Sequence, residues 1–552
     1  VKISVNALRF LNEYYGSAGD PAPDGVDALV QKIGAQLGAV EETIAFGKRL
    51  EQVVIVTIVS CEDHPDSDHL HICKVDDGGV VQQVERDEQG LVQIVTGAPN
   101  VRDGFVAAWL PPGSTVPETF DKDPFVLESR SLRGKMSHGM LASARELGLG
   151  DDHSGILEID DELGPIQPGT PFVDAFHVRD DVIIDMENKM FTHRPDCFGW
   201  LGIAREIEGI SGRPYKSPQW YRPDASIPGP EAEELKLEVR NELPELVPRF
   251  AAVALRDVTV KPSPVWLRID LARAGLRSIN NIVDYTNWYM LLTGQPLHAY
   301  DYDKVKALSE GGQATIVVRH PRQGEKIKLL NGKEIEPRGE AIMIATDKQL
   351  IGVGGVMGGG ETEVDETTQN IIIECATFDM YSIRRTSMAH GLFTDAVTRF
   401  NKGQSPLQNV AVLGKIVGQV RDHAGGKVAS PLIDDNHVPQ DVRDRASVHP
   451  PVSVSRQFIN ARLGFDLSAE EMKTLLTNVE CKVEVEGDEL TVTAPFWRTD
   501  IEISEDVVEE VGRLYGYDKL PLELPRRGIA PAHKNALLEL KTRIRNCLAA
   551  CG

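Results

Sequence analysis

Several things are scarce in this chain. No run of about 18 apolar residues occurs, so no segment reads as a membrane-crossing helix. The opening residues, VKISVNALRFLNEYY, lack the basic, then apolar, then small-residue order of a secretion signal. A cytoplasmic location with no membrane partner is the expectation. The cysteines Cys61, Cys73, Cys197, Cys375, Cys481, Cys547 and Cys551 are odd in number, scattered and without a C-x-x-C pair. That argues against a disulfide framework or a zinc ribbon, and most read as buried thiols acting as small apolar groups. Basic residues are outnumbered, 59 Lys and Arg against 83 Asp and Glu, for a net charge of -24. Such a chain is no general coat for nucleic acid, whose phosphates draw on Lys and Arg. Any RNA contact has to come from a local basic patch or from a partner subunit. No period of 20–50 residues marks a solenoid. The stretch GVGGVMGGG from Gly352 is unlike G-x-x-x-x-G-K-[ST], which disfavours a nucleotide P-loop.

What is present is a series of dissimilar segments. At 552 residues with 41% hydrophobic content, the chain is too long for one core and predicts three to five domains. Residues 1–45 read as a short α/β element ending in a linker. Residues 46–176 carry short Val/Ile runs broken by Gly and Pro, the pattern of a small barrel. Residues 177–247 hold one clear helix, GWLGIAREIEGI, and a Pro- and acid-rich linker over 217–235. Residues 248–425 mix the helix PVWLRIDLARAGL, the strand ATIVVRH and the glycine-rich centre. Residues 449–524 form a compact unit. There Ser468 and Glu471 predict a capping box opening a helix through Leu476, and Gly487-Asp488 predicts a two-residue hairpin turn. Residues 525–552 end in an amphipathic helix and read as the start of a further, truncated domain.

Three sets of residues carry candidate chemistry. Within residues 495–521, Asp500, Asp506, Glu509 and Glu510 cluster around the start of one helix. At about 100° per residue, Asp506, Glu509 and Glu510 fall on one arc, opposite Val507, Val508, Val511, Leu514 and Tyr515. Helix capping is the first reading of these acids and a hard divalent cation the second. Between Ser129 and Arg145 stand Arg130, Arg133, Lys135 and Arg145 with no acid, either a phosphate-tracking groove or a solvated loop. His64, His69 and His71 have the spacing H-x4-H-x-H, which fits no standard ligand pattern and reads as a polar turn. On residue chemistry alone, His298 reads as a structural histidine and Glu374 as a strand-end residue.

The order of motifs resembles the bacterial phenylalanyl-tRNA synthetase beta subunit family over nearly the whole chain. HPDSDHLHICKVDDG (from His64), IVTGAPNVRDG (from Ile94) and SRSLRGKMSHGMLASARELGLG (from Ser129) resemble its OB-fold tRNA-binding barrel. SINNIVDYTNWYMLLTGQPLHAYD (from Ser278), GVGGVMGGGETEV (from Gly352) and FDMYSIRRTSMAHGLFTDAVTRFNKG (from Phe378) resemble its B3/B4 editing domain. W-R-x-D, D-x-x-E-E and Y-G-Y-D from Trp497 to Asp518 resemble its B5 domain, which has a winged-helix-like fold. The expected fold class is therefore multidomain α+β: an OB-fold barrel, an editing α/β domain and a winged-helix-like domain. The resemblance implies that Thr286, Asn287, His298, Gly358 and Glu374 form a site hydrolysing tyrosine misattached to tRNA(Phe). It also implies that Arg130, Arg133, Lys135 and Arg145 meet tRNA. Asp500, Asp506, Glu509 and Glu510 would hold Mg2+ where the alpha subunit docks. The implied assembly is an α2β2 heterotetramer that uses ATP at an aminoacylation site on alpha. A non-catalytic RNA-binding scaffold and a free-standing editing hydrolase are the alternatives. Arg384 and Arg385 could meet the tRNA 3′ end or pair with the abundant acids, and the sequence leaves this open.

Overall fold

The computed structural model describes residues 1–160, 162, 164–520, 528 and 533–552. Residues 521–524, expected to close the unit that starts at 449, lie outside the described residues, as do 525–527 and 529–532 of the tail. The chain divides into Val1–Tyr517 and Asp518–Gly552. No helix among the described residues is long and apolar enough to cross a membrane.

The first unit begins with a three-stranded antiparallel sheet. Val182–Met186 lies in the centre, flanked by Lys2–Ser4 and Val40–Ala45. Residues 40–45, read as the linker that ends the first element, are thus an edge strand. Their partner arrives only after the whole barrel has been threaded, so local sequence gives no sign of the pairing. The barrel is a curled five-stranded sheet in the order Val92–Thr96, His71–Asp76, Val54–Asp63, Val106–Leu110 and Met140–Leu141. The hairpin Ser129–Leu132 with Lys135–His138 covers its open side. The Val95 N–H donates to Ser137 Oγ at 3.0 Å and Trp109 Nε1 donates to the His138 carbonyl at 2.9 Å. Alternate residues of the strands, among them Val56, Ile58, Cys73, Val75 and Ile94, fill the interior. Cys61 and Cys73 are opposite one another on neighbouring strands, their thiols hydrogen-bonded at 3.4 Å and not joined in a disulfide.

The central module is built on two sheets, the first antiparallel and the second mixed. One sheet runs His298–Asp301, Ile371–Thr377, Arg249–Arg256 and Lys427–Val428, with Ile433–Asn436 also pairing to Arg249–Arg256. The other runs Leu237–Asn241, Ala314–Arg319, Met343–Ala345, Leu350–Val353 and Met357–Gly358. Strand Ile371–Thr377, sequence IIIECAT, is buried throughout, as its unbroken apolar start demands. Helix Asn281–Thr293 is fixed at its start by Asn280, whose side chain accepts from the Val283 N–H. The segment read as a linker over 217–235 is pinned by an aromatic anchor. Tyr221 stacks on Trp497 with ring centroids 5.5 Å apart and donates to Gln408 Oε1 at 2.6 Å.

The last module of this unit packs helices Arg456–Leu463, Ala469–Asn478 and Ser504–Tyr515 on the sheet Val452–Ser455, Glu489–Thr493 and Lys482–Glu486. Both halves of the Ser468–Glu471 capping box are made. Gly487 turns the hairpin at φ 64°. The Asp518–Gly552 unit contains helix Ala536–Ala550, opened by Asn535 accepting from the Leu538 N–H.

Candidate functional site

A cavity of about 370 Å³ opens between helix Asn281–Thr293, the edge strand His298–Asp301 and the glycine-rich turns at 352–358. Its volume is in the range of small-molecule sites. Thr286, Asn287, His298, Gly358 and Glu374 all line it, so the structure brings the five together. Leu297, Val353, Phe378 and Phe400 supply apolar wall.

Glu374 is the fourth of seven residues in its strand, not a strand-end residue, and sits directly opposite His298 in the antiparallel register. Opposite residues project to the same face, so carboxyl and imidazole enter one space. Glu374 is 6% exposed. Burial lifts its carboxyl to about 7, against a lowering pull from the Tyr300 hydroxyl. Tyr300 Oη donates to Glu374 Oε2 at 2.5 Å. Glu374 Oε1 has no hydrogen-bond partner among the described residues. A phenol of the chain itself therefore half-satisfies this carboxyl.

Burial acts on His298 in the opposite sense, lowering it to about 4, so the ring is neutral at neutral pH. The ring sits edge-on to Tyr300 with centroids 4.4 Å apart. It also lies against Gly358, where a Cβ would fall 2.6 Å from His298 Cε1 and 2.8 Å from Nε2. Only a glycine leaves room for the imidazole there. Thr286 spends its hydroxyl on the Val283 carbonyl at 2.6 Å. Asn287 is half-buried, with its amide unpartnered among the described residues. Sequence reasoning missed Tyr300. The signal was there, because residues 298 and 300 of one strand share a face.

Of the four basic residues expected at the barrel, three come together. Arg130 and Lys135 lie on the two strands of the exposed hairpin and Arg133 sits at its turn, donating to the Asp66 carbonyl at 2.7 Å. Arg145 lies beyond the hairpin, where its Nε reaches Glu118 at 3.3 Å.

The four carboxylates do not share one ligand position. Asp500 takes both prongs of Arg498, each at 2.7 Å. Glu510 is 2% exposed and accepts from Arg498 at 2.9 Å, from Arg513 at 2.9 and 3.0 Å, and from Arg194 at 3.4 Å. These guanidiniums hold its carboxyl well below the usual range despite burial. Asp506 Oδ2 accepts from the backbone N–H groups of Glu502 and Ile503, both at 2.8 Å, which is a capping role. Glu509 alone is exposed, 3.7 Å from His193. Helical projection put Glu510 on the acidic arc. The structure turns it inward because Arg194 and Arg498, on other segments, create a positive site for it. Surrounded by three guanidiniums, Glu510 is a poor ligand for a cation, and the residues present do not fit Mg2+. Among the described residues, the one trio of ligand-bearing side chains drawn together is Asp196, Cys197 and Glu206. Arg194 occupies it too, bonding Asp196 at 3.0 Å through both prongs and Glu206 at 2.5 Å.

Three family models match separate stretches of the chain. The "Putative tRNA binding domain" family model matches residues 53–170, the "B3/4 domain" model residues 246–425, and the "tRNA synthetase B5 domain" model residues 452–517. A phenylalanine--tRNA ligase beta subunit from Desulfotalea psychrophila is 37% identical over 94% of this chain and 59% of that protein. Beta subunits of the same name from Syntrophus aciditrophicus and Anaeromyxobacter dehalogenans are each 33% identical over 99% of this chain and 63% of theirs. The chain thus spans about 60% of the length of these curated relatives. A solved N-terminal fragment of the phenylalanyl-tRNA synthetase beta subunit from Pyrococcus horikoshii aligns at a TM-score of 0.31 and 16% identity, over 61% of this chain and 88% of that one.

Proposed function

This chain belongs to the phenylalanine--tRNA ligase beta subunit family, and from that premise we propose that it docks tRNA(Phe) and clears it of misattached tyrosine. Attachment of phenylalanine, with ATP, is the work of the alpha subunit in an α2β2 assembly. The observation that carries the proofreading reading is the opposed pair in the cavity: Glu374, buried with one oxygen unpartnered, and His298, half-buried and neutral.

The need for a second site is physical. A pocket shaped for a phenyl ring rejects an added hydroxyl only weakly, so a separate hydrolytic site must read that hydroxyl. Glu374 Oε1 accepts from the tyrosine phenol. Phenylalanine leaves this oxygen buried and unpaired, which is unfavourable. The apolar wall takes the ring itself. At the ester end, the neutral His298 imidazole orients water toward the carbonyl carbon. Addition of that water breaks the bond to the ribose oxygen, which leaves with a proton. No ionised histidine is required.

The exposed hairpin bearing Arg130, Arg133 and Lys135 is the tRNA-facing edge of the barrel. Arg145 has a smaller share because Glu118 neutralises it.

The test is deacylation. The protein, with its alpha partner, should hydrolyse tyrosyl-tRNA(Phe) and spare phenylalanyl-tRNA(Phe). Equal rates on both, or none on either, would end the proofreading reading. RNA binding without hydrolysis would favour a scaffold.

A further inference from the structure

Helix Met380–His390 packs its inner face against the cavity wall. A Cβ on Gly355 would fall 2.7 Å from Ile383 Cδ1, so helix and glycine turn are in tight contact. The chain segments on both sides of the helix also reach the cavity, Phe378 just before it and Thr394 just after it. Among the described residues, nothing covers its outer face. Tyr381, Arg384, Arg385 and Met388 follow the spacing i, i+3, i+4, i+7 and are all exposed. Phe393, just beyond the helix, is 79% exposed.

The charge here runs against the rest of the molecule. Acids outnumber bases 83 to 59 along the chain, yet residues 380–394 contain none. Among the described residues, neither Arg384 nor Arg385 has a carboxylate within ion-pairing distance. The same holds for Lys402, whose ammonium donates to Thr192 Oγ1 at 2.6 Å, and for Lys333, which donates to the His390 carbonyl at 2.6 Å. Of the bordering acids, Asp395 is engaged by Arg399 at 2.9 Å, and Glu340 stands near His390. Pairing with the abundant acids, the bland alternative for these arginines, does not occur. Unpaired cations interleaved with exposed aromatic rings are the recurrent surface for single-stranded nucleic acid, with rings stacking bases and cations following phosphates.

We propose that the outer face of helix Met380–His390, with Phe393, is the track on which the single-stranded 3′ end of the aminoacylated RNA lies as its ester enters the cavity. Tyr381 and Phe393 stack bases, and Arg384 and Arg385 take phosphates. This rests on the hydrolytic reading of the cavity, and the two fail separately in the following experiment.

The full-length protein is titrated with a short fluorescein-labelled single-stranded RNA ending in CCA, by anisotropy, across a range of salt. Arg384→Ala/Arg385→Ala should weaken binding about ten-fold at low salt. It should also flatten the dependence of log K on log salt by about 1.4, the slope of two single-strand phosphates. Tyr381→Ala should weaken binding at least about five-fold with the salt slope unchanged. Unchanged affinity and slope in both variants, with unchanged thermal midpoints, would overturn the proposal. So would displacement of the probe by polyglutamate as effectively as by unlabelled RNA, which would assign the face to an acidic protein. On tyrosyl-tRNA(Phe), the double variant should raise KM and leave kcat in place. A wild-type protein that binds the probe at this face but hydrolyses nothing would sink proofreading and leave the RNA surface standing.

Discussion

Tyr300 donates its hydroxyl to Glu374 across two neighbouring strands, so a phenol of the chain itself holds one oxygen of the acid that faces the cavity. The bond does two things. It fixes the carboxylate rotamer, aiming one defined oxygen at a ligand. It also favours the ionised form, which burial alone would oppose. Tyr300 is a positioning residue for the selectivity attributed to Glu374.

Tyr300→Phe should therefore reduce the ratio of tyrosyl to phenylalanyl deacylation at neutral pH by about ten-fold, the usual scale for a lost bond to a charged group. Without the hydroxyl the carboxyl rises further, so selectivity should recover as pH increases. A pH profile of the ratio in both proteins checks this. A ratio that is reduced equally at every pH would leave only a packing role for Tyr300.

Glu374→Gln should change stability with a distinctive pH dependence. The folded carboxyl, lifted to about 7, holds its proton more tightly than the unfolded one near 4.5. Wild-type stability therefore falls as pH rises between these values, by on the order of 3 kcal/mol once the charge is fully formed. The glutamine variant carries no such charge. It should match the wild type near pH 4 and exceed it in thermal midpoint at pH 8. Parallel midpoints across that range would mean that Glu374 ionises freely.

Gly358→Ala should abolish hydrolysis without unfolding the module. The added methyl falls where the His298 ring already is, and that ring is the group free to move. A loss of about a hundred-fold or more in kcat, with an intact thermal midpoint, is expected for a displaced catalytic ring. Near-normal hydrolysis would mean that the imidazole does not act from its present position.

Arg498→Met should destabilise the first unit by about 3–5 kcal/mol, because it leaves Asp500 and part of Glu510 buried without their partner. Chelation with EDTA should leave the wild-type thermal midpoint unchanged, since arginines and not a divalent cation balance these acids. A fall in midpoint on chelation, reversed by Mg2+, would restore the metal reading.

These outcomes mark where sequence was readable. Ser468 with Glu471 and the turn at Gly487 were predictable because every partner lies within a few residues. The barrel followed from residue pattern, whereas the strand IIIECAT runs three residues past the Glu374 at which the pattern seemed to end it. Glu510 was misjudged because one of its partners, Arg194, is 316 residues away in the chain. Helical projection knows only its own helix. The five cavity residues were found through the resemblance. The hydrogen bond that half-satisfies Glu374 needed three-dimensional register, as did the absence, among the described residues, of carboxylates beside Arg384 and Arg385.

The small sheet at the start of the chain has an architectural consequence. Ala45 is paired with Val182, so the barrel leaves and rejoins its host at adjacent points. It is spliced into the fold like a cassette between two clasped ends. Excision of the barrel with a short bridging loop would leave both edges of that clasp in place. The barrel and the cavity-bearing module could then be exchanged, lost or redesigned independently.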